Sequence, residues 1–223
     1  MSANPKPRNV KINLVYAQAC QKAGQYEKAE EVYKYLSELN PNEAVSYYSY
    51  ITKMYDEGGR TEKAIDAAKK VIELSPKNEL AVYNLGVMYF KLEKYNEAIE
   101  AFNQSLAIRP DNSFSYLQIG IILNKLKKNK EAIEAFKKFV AITPDNPDGW
   151  FSLGVNYMLL KDFTSALEAF KKTVALKPEN GIAQYNLAIT YLNLRDKTKA
   201  REVYKSLTTI DPDLAEKLKK LIQ

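Results

Sequence analysis

Apolar residues recur every three or four positions through most of the chain, in stretches separated by short polar breaks. In one stretch Val82, Leu85 and Tyr89 share a helical face, and after a polar break Ala98 and Phe102 share another. This period is typical of amphipathic α-helices. Because the breaks are short, we expect consecutive helices to pack as antiparallel pairs, and we predict an all-α fold.

Prolines mark a long regular spacing on top of this helical pattern. With Pro147 set aside, the six prolines beyond residue 40 are separated by 35, 34, 34, 34 and 34 residues. A period between about 20 and 50 residues is typical of stacked supersecondary units, which bury their apolar faces only against one another. We predict six units of two helices each, starting near residues 10, 44, 79, 113, 147 and 181.

Small and bulky residues recur in phase with the prolines. The first helix of five units has a small residue at one place: Ala17, Gly86, Gly120, Gly154 and Ala188. The second helix of the same units has a bulky aromatic residue: Tyr33, Phe102, Phe136, Phe170 and Tyr204. Small residues let two helix backbones approach closely, and the rings fill the space between units.

The fifth unit carries the most complete set of these signature residues, namely Trp150, Leu153, Gly154, Tyr157, Ala166, Phe170 and Pro178. Their order matches W-x2-L-G-x2-Y, then A-x3-F and P, which is the pattern of the 34-residue tetratricopeptide repeat, or TPR. The chain resembles this family over almost its whole length. The resemblance implies an all-α, right-handed TPR superhelix, which is an α-solenoid of antiparallel helix pairs.

The second repeat departs from the pattern. It has Tyr50, Ile51 and Met54 in the Leu, Gly and Tyr places, and Ala68 in the Phe place. It is also one residue longer, and we expect the extra residue in the turn at residues 57–59, with a local kink or altered stacking.

The two ends of the chain differ in pattern. Residues 1–9 contain two prolines and no helical period, so we expect a flexible N-terminal segment before a single solenoid over residues 10–223. At the other end, residues 212–223 are predicted to form a capping helix that begins at Asp211 and Pro212. Its apolar face is predicted to comprise Leu214, Leu218, Leu221 and Ile222.

The resemblance also implies a binding surface, because the first helices of TPR proteins line the inner face of the solenoid. Carried over to this chain, the inward places are mostly apolar or aromatic. The predicted peptide groove comprises Tyr48, Tyr55, Leu80, Tyr83, Val87, Phe90, Phe114, Leu117, Ile121, Asn124, Phe151, Val155, Met158, Tyr185 and Ile189, with amides at Asn84, Gln118 and Asn186. An apolar or amphipathic peptide or helix would fit such a surface. The alternative is that tight coiling buries this face against neighbouring first helices.

Composition argues against catalysis. The chain has no histidine and a single cysteine, Cys20, so the commonest general base and the commonest metal ligand are missing. The pair Gly58-Gly59 is not followed by the GK[ST] of a phosphate-binding loop. We therefore expect neither enzymatic activity nor a cofactor.

The chain is mildly basic, with 33 Lys and Arg against 27 Asp and Glu. A basic patch concentrates this surplus: Lys125, Lys127, Lys128, Lys130, Lys137 and Lys138. The patch is predicted either to bind an anionic partner, such as RNA, an acidic protein or a membrane surface, or to be a solvated helix face in which Glu134 pairs with Lys138. No aromatic residue lies among the lysines, so nucleic acid is the less favoured partner.

Together these patterns predict a non-catalytic scaffold, adaptor or chaperone that binds a protein or peptide. A self-assembling scaffold, or homo-oligomer, is the alternative. No signal peptide or transmembrane segment is evident in the sequence, so a cytoplasmic location is expected.

Overall fold

The computed structural model describes residues 9–223. The predicted flexible segment therefore lies outside the described residues, except for Asn9. The described part of the chain folds into thirteen α-helices and contains no strand, which confirms the all-α prediction.

Twelve of the helices alternate as first and second members of six pairs. The first helices are α1 (Val10–Lys22), α3 (Ala44–Glu57), α5 (Glu79–Lys91), α7 (Ser113–Lys125), α9 (Pro147–Leu159) and α11 (Gly181–Asn193). The second helices are α2 (Tyr26–Leu39), α4 (Thr61–Leu74), α6 (Tyr95–Ile108), α8 (Asn129–Ile142), α10 (Phe163–Leu176) and α12 (Lys197–Ile210). A final helix, α13, spans Pro212–Ile222.

The chain divides into two compact units, with α1–α6 in unit 1 (Met1–Pro110) and α7–α13 in unit 2 (Asp111–Gln223). Within each unit, a first helix packs against the second helix of its own repeat and against the second helix of the preceding repeat. Each unit is thus a stack of antiparallel helix pairs. The single solenoid over residues 10–223 stays a prediction.

Local sequence sets where the helices start and turn. Asn9, Asn78, Asn112, Asn146 and Asn180 each cap a first helix, and their side-chain oxygens accept a hydrogen bond from a backbone N–H of the first turn. Each turn between paired helices has one residue in the left-handed conformation. These residues are Gly24, Gly59, Glu93, Lys127, Lys161 and Arg195.

In repeats 3, 4 and 5, a phenylalanine ring of the second helix packs directly on the backbone of the first helix at its glycine. A Cβ placed on Gly120 would come within 2.6 Å of Phe136 Cε1, and one placed on Gly154 would come within 2.6 Å of Phe170 Cε1. Both rings are fully buried. Only glycine at this place lets the two helices approach so closely.

Repeat 2 places its extra residue differently from our expectation. The turn after α3 has the same three residues as every other turn, whereas α3 itself has 14 residues and the other first helices have 13. Glu43 replaces the capping asparagine and makes no side-chain cap bond, and a 3-10 turn over Pro41–Glu43 precedes α3. The prediction of an insertion at residues 57–59 was therefore wrong. One added residue rotates the rest of α3 by roughly 100° relative to its equivalents.

The second helix of repeat 2 has a small residue where the other repeats have an aromatic ring. Ile51 is 1% exposed and Ala68 is 2% exposed, and both belong to one core cluster of unit 1. Counted back from the three-residue turn that follows α3 and α5, Ile51 takes the place of Leu85 and Thr52 takes the place of Gly86. The prediction of Ile51 in the Gly place was therefore wrong.

The last helix covers the end of unit 2. Asp211 Oδ1 accepts a hydrogen bond from the Leu214 N–H at 3.0 Å, and α13 packs on α11 and α12. Leu218 and Ile222 are buried, but Leu221 is 53% exposed. The prediction that Leu221 belongs to the packed face of α13 was therefore wrong.

None of the helices between residues 9 and 223 is long and apolar enough to cross a lipid bilayer.

The substitution Gly120→Ala should destabilise the protein by about 1–3 kcal/mol, because the new methyl group overpacks against the buried ring of Phe136. Urea unfolding followed by circular dichroism measures the loss. Combining Gly120→Ala with Phe136→Leu should cost less than the sum of the two single changes, since the smaller side chain makes room. Additive losses would show that the ring does not limit the approach of the helices.

Candidate peptide-binding cleft

A cleft of about 310 Å³ lies in unit 1 between the first helices of repeats 2 and 3, with α4 beneath it. Its lining comprises Ser49, Thr52, Lys53 and Asp56 from α3, Ala68 and Val71 from α4, and Asn78, Leu80, Ala81, Asn84, Val87 and Met88 at and within α5. The cleft has an apolar floor, an aliphatic wall and a polar wall.

The floor of the cleft follows from a small residue on the second helix of repeat 2. Ala68 stands where repeats 3, 4 and 5 have a phenylalanine, so no ring projects from α4 at this level. Ala68 and Val71 are each only 2% exposed and form a closed apolar base. The depth of the cleft is thus a consequence of one small side chain on the second helix.

The wall formed by α5 is aliphatic and carries one amide. Leu80, Asn84 and Val87 lie on one helical face, at spacings of four and three residues. Leu80 is 63% exposed, and Asn84 is exposed, with a side-chain amide that forms no hydrogen bond with any residue from 9 to 223. Its amide therefore offers a donor and an acceptor beside an apolar contact.

The wall formed by α3 is polar because of the extra residue in that helix. The rotation turns Ser49, Lys53 and Asp56 toward the cleft. The Asp56 carboxylate accepts two hydrogen bonds from Lys91 Nζ, at 2.7 and 2.8 Å, and so links α3 to α5. Because this ion pair is partly exposed, its role is to orient the two walls more than to stabilise the fold.

Two predicted groove residues lie elsewhere for the same reason. Tyr55 is 1% exposed, and its hydroxyl donates to the Glu30 carboxylate on α2; burial and this hydrogen bond raise its pKa. Tyr48 is half-buried and lines a second cleft of about 380 Å³ between α2 and α4, together with Lys34 and Lys70. The predicted places of Tyr48 and Tyr55 assume that the added residue follows them in the chain, so the prediction of both as groove residues was wrong.

Other predicted residues of unit 1 remain on α5. Tyr83 and Phe90 are half-buried, and their rings lie 5.4 Å from Phe102 and 6.1 Å from Tyr95, measured between centroids. Tyr83 lies beside the aliphatic wall, and Phe90 lies one turn beyond its end.

The predicted groove residues of unit 2 are mostly half-buried by their own repeats. Phe114 is the exception, at 60% exposed. Leu117 and Ile121 pack on the cluster around Phe136, and the Phe151 ring lies 5.9 Å from that of Phe170. The remaining half-buried members are Gln118, Asn124, Val155, Met158, Tyr185, Asn186 and Ile189.

The three predicted amides are not equivalent. Asn186 Nδ2 donates to the Ile182 carbonyl at 2.9 Å within its own helix, and Gln118 is half-buried. Asn84 alone of the three is classed as exposed. The amide best placed to pair with a ligand backbone is therefore the one in the unit 1 cleft.

The basic patch lies in unit 2, on the turn between α7 and α8 and along α8. Glu134 accepts a hydrogen bond from Lys137 Nζ at 2.9 Å, which raises the pKa of Lys137. The predicted pairing of Glu134 with Lys138 was wrong, since the carboxylate turns to the lysine three residues on.

Comparison with known families agrees with this architecture. Four family models, all described as tetratricopeptide repeat, match residues 15–43, 80–112 and 157–222 and, for one model, both 53–78 and 115–146. The chain belongs to the tetratricopeptide repeat family. TPR domains are in general non-catalytic interaction modules, and the fold supports a protein-interaction scaffold in that general sense.

Solved TPR structures share the fold. A crystal structure of MamA is 23% identical, with a TM-score of 0.71 over 78% of this chain and 96% of that chain. A MamA fragment from Desulfovibrio magneticus RS-1 is 22% identical, with a TM-score of 0.68 over 76% of this chain and 96% of that one. YrrB, described as a TPR protein with an unusual peptide-binding site, is 25% identical, with a TM-score of 0.71 over 86% of this chain and 99% of its own. No curated protein matches the sequence significantly.

Sequence reasoning missed the polar wall of the cleft, although a signal for it exists. The sequence Pro-x-Asn precedes the first helix in five TPR repeats, whereas repeat 2 has Pro41-Asn42-Glu43. The missing capping asparagine marks where the register changes. Moving each later place of α3 one residue along the chain brings Ser49, Lys53 and Asp56 to the side that faces α5.

A charged network joins α2 to α4 on another face of the same TPR unit, and it provides a test of the geometry. The Glu27 carboxylate accepts hydrogen bonds from Lys63 Nζ, at 2.8 Å, and from Arg60. The hydrogen bond from Lys63 is the main cause that lowers the pKa of Glu27 to about 2. The carboxylate of Glu27 therefore stays ionised when the pH falls to about 4.3, the ordinary pKa of a glutamate side chain.

The substitution Lys63→Met should raise the pKa of Glu27, and Arg60→Met should raise it less, because the charge of Arg60 contributes a smaller effect. A carbon-13 NMR titration of the Glu27 carboxyl group measures both. An unchanged titration midpoint in Lys63→Met would show that this ion pair does not form in solution.

Proposed function

We propose that this TPR chain is a non-catalytic interaction scaffold whose unit 1 cleft binds an amphipathic segment of a partner protein. The observation that carries the proposal is the cleft itself, with the exposed Leu80 and the unengaged Asn84 amide on one wall and polar groups on the other. An amphipathic segment presents the same two kinds of surface, one on each side.

The binding mechanism follows from the two walls. An aliphatic side chain of the partner packs over the floor against Leu80, Val87 and Met88, while the Asn84 amide pairs with a backbone N–H and C=O. The polar side of the segment faces Ser49 and Lys53 on α3.

Typical free energies of apolar burial and hydrogen bonding indicate how long the bound segment must be. One buried aliphatic side chain contributes roughly 2 kcal/mol, and each hydrogen bond adds a net of about 1 kcal/mol. Micromolar binding corresponds to about 8 kcal/mol. The cleft alone is therefore too small, and the segment is expected to extend along α5 over Tyr83 and Phe90.

The similarity to YrrB supports a peptide as the class of ligand, because that TPR protein is described as having an unusual peptide-binding site. The similarity covers 86% of the present chain. An adaptor or chaperone role and a cytoplasmic location are consistent with peptide binding. Self-assembly stays the alternative prediction.

The substitutions Leu80→Asp and Asn84→Ala should each weaken binding of peptides selected against the wild-type chain from a random phage-displayed library, by about tenfold or more. Fluorescence anisotropy with the selected peptides measures the affinity. Both positions are exposed, so the helical circular dichroism should not change.

The matched control is Ile182→Asp. Ile182 occupies the same second place of a first helix and is 57% exposed, but it lies in unit 2. It should leave peptide affinity unchanged. Equal losses in Leu80→Asp and Ile182→Asp, or no loss in either, would contradict binding in the unit 1 cleft.

A further inference from the structure

The turns that join first to second helices in unit 2 differ from those in unit 1 in the residue at the left-handed position. Unit 2 has Lys127, Lys161 and Arg195 there, with φ of 59°, 61° and 63°. In unit 1 two of the three equivalents are Gly24 and Gly59. We call residues 126–128, 159–162 and 194–196 the turn rim of unit 2.

Cations at this position carry a conformational cost. A side chain at positive φ is strained by contact of its Cβ with the backbone, whereas glycine adopts this conformation readily. Repeats 1 and 2 show that glycine is compatible with the same three-residue turn. The basic residues of the turn rim are therefore not required by the geometry of the turn.

The first turn of the rim concentrates positive charge. Lys127, Lys128 and Lys130 surround the N-terminus of α8, which itself carries partial positive charge. None of the three forms an ion pair with any residue of the described part of the chain. At the place of Lys128, repeats 5 and 6 have Asp162 and Asp196, which cap α10 and α12 through hydrogen bonds from backbone N–H groups at 3.1 and 2.9 Å.

The surplus of charge belongs to this unit as a whole. Residues 111–223 contain 18 Lys and Arg against 13 Asp and Glu, whereas residues 1–110 contain 15 against 14. The turn rim thus lies on the more basic of the two units.

Exposed leucines accompany these cations. Leu159 is 60% exposed, Leu160 is 39% exposed and Leu194 is 38% exposed, and each is adjacent to or within two residues of Lys161 or Arg195. At the place of Leu159, other repeats have polar residues, including Lys91, Lys125 and Asn193. Leu159 is therefore an apolar side chain presented to solvent at a polar position, beside a cation.

We propose that the turn rim of unit 2 docks on an anionic lipid bilayer. Leu159 enters the headgroup layer, and Lys127, Lys128, Lys161 and Arg195 contact the lipid phosphates and carboxylates. Cations beside an exposed apolar side chain match the two layers of such a surface, which is negative outside and apolar beneath.

A bilayer fits these residues better than an acidic peptide or a nucleic acid does. Helix-to-helix turns are convex tips, and a tip inserts into a soft surface, whereas a bound peptide needs a groove. An acidic partner would also leave Leu159 without an apolar contact. The basic stretch 125–130 contains no aromatic residue on which a base would stack.

The test is co-sedimentation with vesicles of phosphatidylcholine containing about 30 mol% phosphatidylserine, compared with pure phosphatidylcholine vesicles. Each cation at the surface increases partitioning by about fivefold, so the wild-type chain should bind the anionic vesicles and lose binding as salt is added. Absence of preferential binding to the anionic vesicles would overturn the proposal.

The charge variant is Lys127→Gly combined with Lys128→Asp. Both replacements copy residues that stand at these places in other repeats, Gly59 and Asp162, so folding should be preserved. Binding to anionic vesicles should fall by about tenfold or more. The matched control, Lys172→Glu with Lys177→Gln, changes the net charge equally at exposed positions outside the turn rim and should bind nearly as the wild-type chain does.

The apolar variant is Leu159→Asn, which copies Asn193 and should lower vesicle binding by about fivefold while leaving the affinity for soluble heparin unchanged. The charge variant could instead lower the affinities for heparin and for vesicles equally, while Leu159→Asn changes neither. That result would overturn docking on a bilayer, because it indicates a general attraction to polyanions. Leu80→Asp should not alter vesicle binding, which separates this surface from the peptide cleft.

Discussion

The contact between a first-helix glycine and a second-helix phenylalanine determines how closely the paired helices pack. The rings of Phe102, Phe136 and Phe170 occupy the space that a side chain at Gly86, Gly120 or Gly154 would need. In repeats 1 and 6 the pair becomes alanine with tyrosine, at Ala17 with Tyr33 and Ala188 with Tyr204. Because interiors are packed as densely as organic crystals, a change of volume on one helix requires an opposite change on its partner.

Repeat 2 departs from this pairing, and its cleft is the result. Ala68 stands on the second helix where the other repeats have an aromatic ring, so the surface above Ala68 is left without a ring. The additional residue in α3 then turns polar side chains toward that space. The cleft thus arises from two departures within one repeat, the small residue on α4 and the added residue in α3.

The repeat architecture could be predicted from the sequence because it depends on residues that recur in phase. Prolines, capping asparagines and the pairs of a small residue with an aromatic one give five or six independent readings of the same places, so an error in one is corrected by the others. The inner face of α3 could not be predicted in the same way. Its assignment depended on the position of one inserted residue, and Tyr48 and Tyr55 show that an error of one place moves a side chain to a different face of the helix.

The left-handed turn residue is a place where the fold leaves the choice of side chain open. Glycine is least strained there, yet Glu93 and Lys127 adopt nearly the same φ, 56° and 59°, so the turn tolerates several residue types. Side chains at this place project from the tip and make few core contacts, and the cost of each is limited to local strain. Core positions of a repeat protein are constrained by their neighbours, whereas the tips vary independently from repeat to repeat. Chemical differences between units that share one architecture therefore accumulate at these tips, as the glycines of unit 1 and the cations of unit 2 illustrate.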